Sequence, residues 1–483
     1  MIRTGPRQQG VIAIVFALML ALLLGFIGLA LDLGRLYNRD FELQAVANVA
    51  ALAAARQLNG TSAGVASAIS QAASAAASLQ YQYGQLAISW DNAALSFSSA
   101  SSGAWMDAAS AQSAPDGLLF ARVDTSKLAS SLGTVDLAFM QVLSASLASA
   151  SVSVKAVAGR SGIYVTPLAV CALSNTLATA RANPGAPANT ELVEYGFRRG
   201  VAYDLMQLNP GATSAENFVV DPFDPPGAAG AAGNMAASLV GPFACTGKLA
   251  IPRVTGGAIT VGRPFPLASL FNQLNSRFDQ YTGAQCSFAT APPDSNIKSY
   301  VYSSAAPWMS AVPGGQGAQS STSGGKLWTI ADPLPALAGN TAAMYGPLWA
   351  YARAVPYSSY VPGASEPSAG YTPFNTSAWA TLYKPGAPTA TASYPAGVST
   401  PYKAGSGSNF LAPSSGHKGL ANRRVLNVAL LSCPVSAGAT ASATVLGIGK
   451  FLMTVPATAT SLVAEFGGLA QEQSLGDDVE LYP

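Results

Sequence analysis

Val11–Leu31 reads VIAIVFALMLALLLGFIGLAL, 21 residues without a charge, a proline, an asparagine or a glutamine. At a helical rise of ~1.5 Å per residue such a run covers ~30 Å, the thickness of a bilayer's hydrocarbon core. No other segment of the 483 residues comes close. Val11 and Leu31 therefore bound an expected transmembrane helix, with the bulk of the chain on one side of it. A removable signal peptide has a shorter apolar region followed by a small-x-small cleavage site. Here the run continues through Asp32, Arg35, Arg39 and Glu42 into QAVANVAALAAARQL, Gln44–Leu58. Alanine is the best helix former, and Phe41, Val46, Val49, Leu52 and Leu58 leave one loosely apolar face. The pattern predicts one helix from Val11 to about Leu58, half in lipid and half projecting from it.

Orientation is weakly marked by charge. Arg3 and Arg7 precede the span and Arg35 and Arg39 follow it, so the positive-inside rule is nearly balanced. Composition points further. Charged residues are only 10% of the chain, and Ser, Thr, Ala, Gly, Tyr and Pro fill its C-terminal half, as on an exported surface. Residues 1–10 are accordingly expected in the cytoplasm and the bulk outside. A net charge of +2 supplies no basic field, so a nucleic-acid partner has no support.

Downstream of the long helix, Gly60–Gln85 reads as a second, Ala/Ser-rich helix. Partial alternation of apolar and polar residues then marks strands at Leu86–Trp90, Leu95–Phe97, Leu118–Val123 and Ala150–Gly159. Leu137–Leu143 fits a short helix or a strand. Residues 32–160 thus form an α+β unit, a long helix packed on a small antiparallel sheet. From residue 161 the character changes. IYVTPLAVCAL (Ile163–Leu173) and RVLNVALLSC (Arg424–Cys433) are almost wholly apolar, which fits strands buried on both faces. PLASLFNQLNSRFDQY (Pro266–Tyr281) is a helix with Pro in its first turn and Gly283 beyond its end. Residues 161–483 are expected to be a larger α/β domain, with long loops at 303–325 and 361–417 carrying Trp379, Tyr383, Tyr394 and Tyr402.

Four cysteines, Cys171, Cys245, Cys286 and Cys433, are even in number and contain no CxxC pair, which disfavours zinc and thioredoxin-type redox chemistry. In an oxidising compartment three pairings are open. If the two apolar strands are parallel neighbours, Cys171 meets Cys433 and Cys245 is left for Cys286. Four buried thiols are the alternative.

Catalytic patterns are few. The chain has one histidine, His417, inside a Ser/Gly-rich loop, and a Ser-His-Asp or Cys-His site needs it. Gly60-Thr61-Ser62-Ala63-Gly64 matches GxSxG, yet no strand precedes it as a nucleophile elbow requires, so it reads as a helix break. Phosphate-loop, HExxH and paired CxxC motifs are missing. Asp221 and Asp224 in VVDPFDPP fit a rigid turn better than a cation site, and Asp477, Asp478 and Glu480 read as a solvated tail. Asp124-Thr125-Ser126 begins like a DxSxS metal motif, but Leu128 stands where its second Ser belongs. No enzyme activity, metal, cofactor or small-molecule substrate is expected.

Arg7–Leu58 closely resembles the N-terminus of TadE/TadG-like proteins of the Flp (tight adherence) type IV pilus system. The shared features are a charged leader ending in Gly10, the apolar span, the exit Asp32-Leu33-Gly34-Arg35-Leu36-Tyr37, and the Gln-Ala-x-Ala-x-x-Ala-Ala-Leu-Ala-Ala-Ala run. LAFMQVL and the later SVSVKAVAG look like the end of that family's first extracytoplasmic region. In length the chain is similar to the larger TadG-type members. The resemblance implies a bacterial inner-membrane protein with a periplasmic body, serving assembly or anchoring of an adhesion pilus, its partners being other Tad assembly proteins or minor pilins. It also implies a C-terminal relative of the von Willebrand A fold. Pro167–Asn175 reads PLAVCALSN where that fold's metal motif belongs, so metal-dependent adhesion does not follow.

In pilin-like relatives a prepilin peptidase cuts after the leader glycine, and a glutamate five residues on sets subunit register. Gly10 and Val11 fit such a cut, whereas Val15 occupies the glutamate position. A chain without that buried carboxylate has no need to enter a filament core. The expected function is therefore a membrane-fixed structural component of pilus assembly. The alternative is a processed minor pilin or tip adhesin, with the aromatic loops as its binding surface. A periplasmic hydrolase is the third and weakest reading.

Overall fold

The computed structural model describes residues 9–115, 117–160, 162–183, 188–223, 230–252, 256–301, 314–329, 344–364, 366–367, 369–382, 400–476 and 478–482. The chain divides into two compact units, Met1–Ser161 with Asp478–Pro483, and Gly162–Asp477.

In the first unit, helix α1 (Gln9–Gln57) runs 49 residues without a break, about 73 Å at ~1.5 Å per residue. Its apolar half is bare, with Ile12 72% and Phe26 70% exposed. Its second half is buried along Leu43, Val46, Ala47, Ala50, Ala51, Ala54, Ala55 and Leu58. That spacing of three and one is a helical face, but it is made largely of alanine. Phe41 and Val49, expected on the packed face, lie outside it at 68% and 40% exposure. Small side chains let backbones approach closely, and the larger ones are left on the free side. Helix α2 (Ser62–Ala77) packs there through Val65, Ala68, Ala72 and Ala76. Thr61 caps it, its hydroxyl accepting from the Gly64 N–H at 3.0 Å, so the GxSxG match is a helix start.

A five-stranded antiparallel sheet completes this unit: β1 (Leu95–Ser98), β2 (Met106–Asp107), β3 (Phe120–Asp124), β4 (Lys155–Gly159) and the terminal strand Glu480–Tyr482. Phe97, Ala121, Val123, Ala156 and Ala158 face the helical alanines. The terminal strand replaces the expected solvated tail. It pairs with β4, Leu481 opposite Ala158, because Val479 packs on the core and Tyr482 meets Phe120 edge-on at 5.2 Å. Asp477 lies outside the described residues. Leu86–Trp90, expected as a strand, is extended only at Leu86–Ala87. Leu137–Leu143 contains a short helix, Met140–Leu143.

The second unit is built on β5 (Leu168–Cys171), β6 (Ala202–Asp204), β7 (Asn217–Val220), β8 (Ala258–Gly262), β9 (Val425–Leu431), β10 (Thr440–Met453) and β11 (Val463–Leu469). Pairing runs β5–β7–β8–β10–β9 and returns from β9 to β5, so five strands close on themselves. β11 and then β6 extend the sheet from β10. Among the described residues of this sheet only β5 and β9 run parallel, Cys171 beside Leu431. This β-rich, mainly antiparallel order departs from the parallel α/β sheet that a von Willebrand A relative implies. The apolar runs were a sound sign of two-sided burial, but a closed antiparallel sheet buries both faces as fully as a parallel one. Ala169, Cys171, Phe218, Val220, Ala429 and Leu431 line one face. Leu168, Val170, Val219, Val428 and Leu430 line the other.

IYVTPLAVCAL is two strands, because Thr166-Pro167 interrupts it. Its first part, Gly162–Val165, pairs with Leu249–Pro252. Helices α3 (Ala237–Thr246) and α4 (Leu267–Asn275) flank the sheet. α4 is shorter than Pro266–Tyr281. It tightens into a 3-10 turn at Ser276–Phe278 and ends at Asp279, whose φ is 63°. Two regions expected as irregular loops are partly built. Ser320–Ser323 and Lys326–Thr329 form a hairpin. Trp379 is buried and stacked on Trp349 at 4.5 Å. Tyr383 and Tyr394 lie outside the described residues.

Candidate functional site

The site is the stretch where α1 leaves its apolar run. Asp32, Arg39 and Glu42 stand at i, i+7 and i+10, a spacing that places them on one side of a helix. Asp32 is 1% exposed, and its Oδ2 accepts the N–H groups of Phe139 and Met140, both at 2.8 Å. The Arg39 guanidinium donates to the carbonyls of Leu132 (2.6 Å) and Thr134 (3.3 Å), lies 4.9 Å over the Tyr81 ring and pairs with Glu42 at 3.4 Å. Glu42 accepts from the N–H groups of Gln82 (2.9 Å) and Tyr83 (2.8 Å) and from the Asn38 amide (3.0 Å).

Gln82 and Tyr83 have φ of 55° and 59°, a left-handed conformation that costs L residues about 1 kcal/mol each. The carboxylate of Glu42 offsets that cost by binding both of their N–H groups. Burial works to raise the Glu42 carboxyl, yet the Tyr83 and Gln82 N–H groups, Asn38 and Arg39 outweigh it and hold it below its ordinary value. Lower down the helix, Arg160 donates to the carbonyls of Ala55 (3.4 Å) and Leu58, closing the C-terminal end of α1 as basic side chains do. The charges that follow the apolar run thus fasten one rigid helix to the rest of its own unit.

Residues 10–57 match the model of the TadE/G-like Flp pilus-assembly family. Over this stretch the chain is similar to TadE/G-like Flp pilus-assembly proteins. The match coincides almost end to end with α1 and so includes the apolar run and the three clamping charges. The family implies association with components that assemble Flp pili, and the long bare helix fits a single-pass membrane anchor. No curated protein and no solved structure matches the chain.

Within α1, Gly10 and Val11 lie in the first turn. Val15 is 49% exposed on the bare face and Leu31 is 52% exposed at its far end. In the second unit the structure joins Cys171 to Cys433 and Cys245 to Cys286. The other residues singled out by chemistry are spent on structure. Asp124 accepts from the Ser126 N–H and hydroxyl and pairs with Lys155 at 3.2 Å. Asp221 accepts the N–H of Phe223 at 2.9 Å in a tight turn, and Asp224 lies outside the described residues. His417, inside its Ser/Gly-rich loop, pairs with Asp279 at 2.6 Å and stacks on Phe288 at 3.9 Å. The reason is the left-handed Asp279 at the end of α4, which also accepts the Ser414 N–H at 2.7 Å. Among the described residues no three His, Cys, Asp or Glu side chains come together as a metal site would need.

Composition hid a second set. Arg199 is held between Glu194 (2.6 Å) and Glu366 (2.7 Å), and Arg198 reaches Glu191 at 2.7 Å. Burial alone would lower Arg199, but the two carboxylates overcome it and raise it. Glu465 is fully buried and accepts the N–H groups of Ala350 (2.8 Å), Tyr351 (2.9 Å) and Ala352 (2.8 Å). Adjacent arginines in the sequence GFRRG were the only available signal for the first cluster.

Proposed function

We propose that this chain is a structural, non-enzymatic component of Flp pilus assembly. In this reading a single helix fixes it in a bacterial inner membrane, residues 32 onward work in the periplasm, and its kind is TadG. The observation that carries the reading is the continuity of α1, whose bare apolar half passes without a break into a half clamped by Asp32, Arg39 and Glu42. Such a helix transmits position from the bilayer to the soluble body as one rigid element. Commitment of buried charges to backbone and to each other supports a scaffold in preference to a hydrolase. The partners are other Tad assembly proteins or minor pilins.

A second reading, a processed minor pilin or tip adhesin, draws on the Gly10-Val11 junction just before the apolar run. Intact mass and N-terminal sequencing of the protein from native membranes separate the two. A retained leader supports the permanent anchor. A chain starting at Val11 supports the processed subunit, which should then appear in sheared pili. A start beyond about residue 31 would overturn both.

A further inference from the structure

The segment after the 134–136 strand does more than complete the clamp. Phe139, Met140 and Val142 line one hollow with Ala21, Leu24, Gly25 and Ile27 of α1. Phe139 seats directly on Gly28, where an added Cβ would come within 2.5 Å of its ring. Gly28 and Gly25 precede Leu31 by three and six residues, which puts them about 4 and 9 Å inside the apolar end of the span at ~1.5 Å per residue. Beside them Val142 is 82% and Phe139 44% exposed. In water this is an unfavourable arrangement, large apolar side chains bare on a short helix.

Polar accounting explains it. In hydrocarbon every backbone donor must be satisfied from within. The N–H groups of Phe139 and Met140, at the start of the short helix Met140–Leu143, are both taken by the Asp32 carboxylate, and those of Gln141 and Val142 go to the carbonyls of Leu137 (3.4 Å) and Phe139 (3.2 Å). Donors turned inward and apolar groups turned outward, at the level of a lipid-facing span, are the marks of a surface whose solvent is lipid. We propose that Phe139–Val142 is a second membrane contact, a wedge entering the leaflet on the C-terminal side of the span, covered by acyl chains and held at depth by Asp32. The proposal rests on the reading of Val11–Leu31 as a bilayer span.

The test uses the full-length protein in phosphatidylcholine vesicles with a nitroxide on Val142→Cys, the four native cysteines being paired. Collision rates with oxygen and with a water-soluble nickel chelate are compared. Leu24→Cys is the lipid reference and Arg56→Cys, at an exposed residue far along α1 from Leu31, the aqueous one. The expected result is that Val142→Cys follows Leu24→Cys, with oxygen collisions dominant. Nickel dominance at position 142 overturns the wedge, and so does shielding from both reagents, which would mean that a protein partner covers it. Nickel dominance at position 24 overturns the span itself, a distinguishable outcome. Val142→Trp, read against the six native tryptophans, is an independent check. Brominated lipid should quench the added emission, and unquenched emission counts against the wedge.

Discussion

The Phe139 N–H donates to the Asp32 carboxylate at 2.8 Å across 107 residues of chain. With the matching bond from Met140, it ties the end of the apolar run to a segment far along the chain in the same unit. Asp32 therefore serves the helix it stands on by serving a different stretch of backbone. An aspartate at the end of a span is usually read as a polar stop, and here it is an acceptor aimed sideways.

Replacing it should be costly. Asp32→Ala leaves two part-buried donors without their acceptor, each costing about 1 kcal/mol or more. The detergent-solubilised first unit should melt at clearly lower temperature, and protease should gain access near residue 139. Asp32→Asn keeps one carbonyl acceptor and should recover part of the loss. Equal melting of wild type and Asp32→Ala would show that the two bonds do not hold the segment.

Acid should loosen both units. Glu42 is held below its ordinary value of 4.5, burial being outweighed by the Tyr83 and Gln82 N–H groups. Glu366 is also held low, burial being outweighed by Arg199. When the folded value lies below the unfolded one, the unfolded chain takes up the proton first. The stabilisation is complete above about pH 4.5 and is lost as pH falls through the folded values. Glu465 has the opposite sign. Burial pushes it up to about 7 against its three N–H donors, so the stability it contributes is full below about pH 4.5 and is lost as pH rises through about 7. Denaturant midpoints should fall on acidification below about pH 4.5, and Glu42→Gln should flatten that fall in the first unit. Midpoints that hold steady down to about pH 3 would contradict the assignment.

Arg199 is the strongest single test of the second unit. Arg199→Ala leaves Glu194 and Glu366 facing each other in a buried setting, a loss of about 3–5 kcal/mol. Arg199→Lys keeps the charge but not the planar fork that meets both carboxylates, so it should recover only part of the stability. Urea titration of the full chain with a probe in the second unit reads this. Recovery by lysine to the wild-type midpoint would mean that charge alone matters.

How much of this was legible follows physical lines. The apolar run is visible because lipid demands an unbroken length of one chemistry. The strands around Cys171 and Cys433 are visible because two-sided burial leaves no polar position. Their directions are not, since hydrophobicity records burial and not which neighbour provides it. The packed face of α1 was misplaced because alanine scores weakly, while Phe41 and Val49 score strongly and face outward. The clamp was unreadable for a different reason. Asp32, Arg39 and Glu42 look like solvated charges after a span, and their partners are backbone groups around residues 82, 132 and 139, which carry no side-chain signal. Arg199 and Glu366 meet across 167 residues, and no local pattern encodes such a pair.

The two disulfides should differ in weight. Cys171 and Cys433 are separated by 262 residues, Cys245 and Cys286 by 41. Cross-linking restricts the unfolded chain more as the closed loop lengthens, and the chain-entropy relation makes the longer bridge worth roughly 1.5 kcal/mol more. Removing either native bridge costs about 2–5 kcal/mol. The double variant Cys171→Ser/Cys433→Ser should therefore lower the denaturant midpoint of the second unit further than Cys245→Ser/Cys286→Ser does. The first pair also sits at the end of the parallel pairing of β5 with β9, so its loss should speed hydrogen exchange in Leu168–Cys171 and Val425–Leu431. The second pair should act instead on α3, which carries Cys245. Non-reducing peptide mapping of the native protein checks the pairing itself. Four free thiols would remove the basis of both comparisons, and an equal loss of stability from the two double variants would mean that native contacts around the bridges, not loop length, set their contribution.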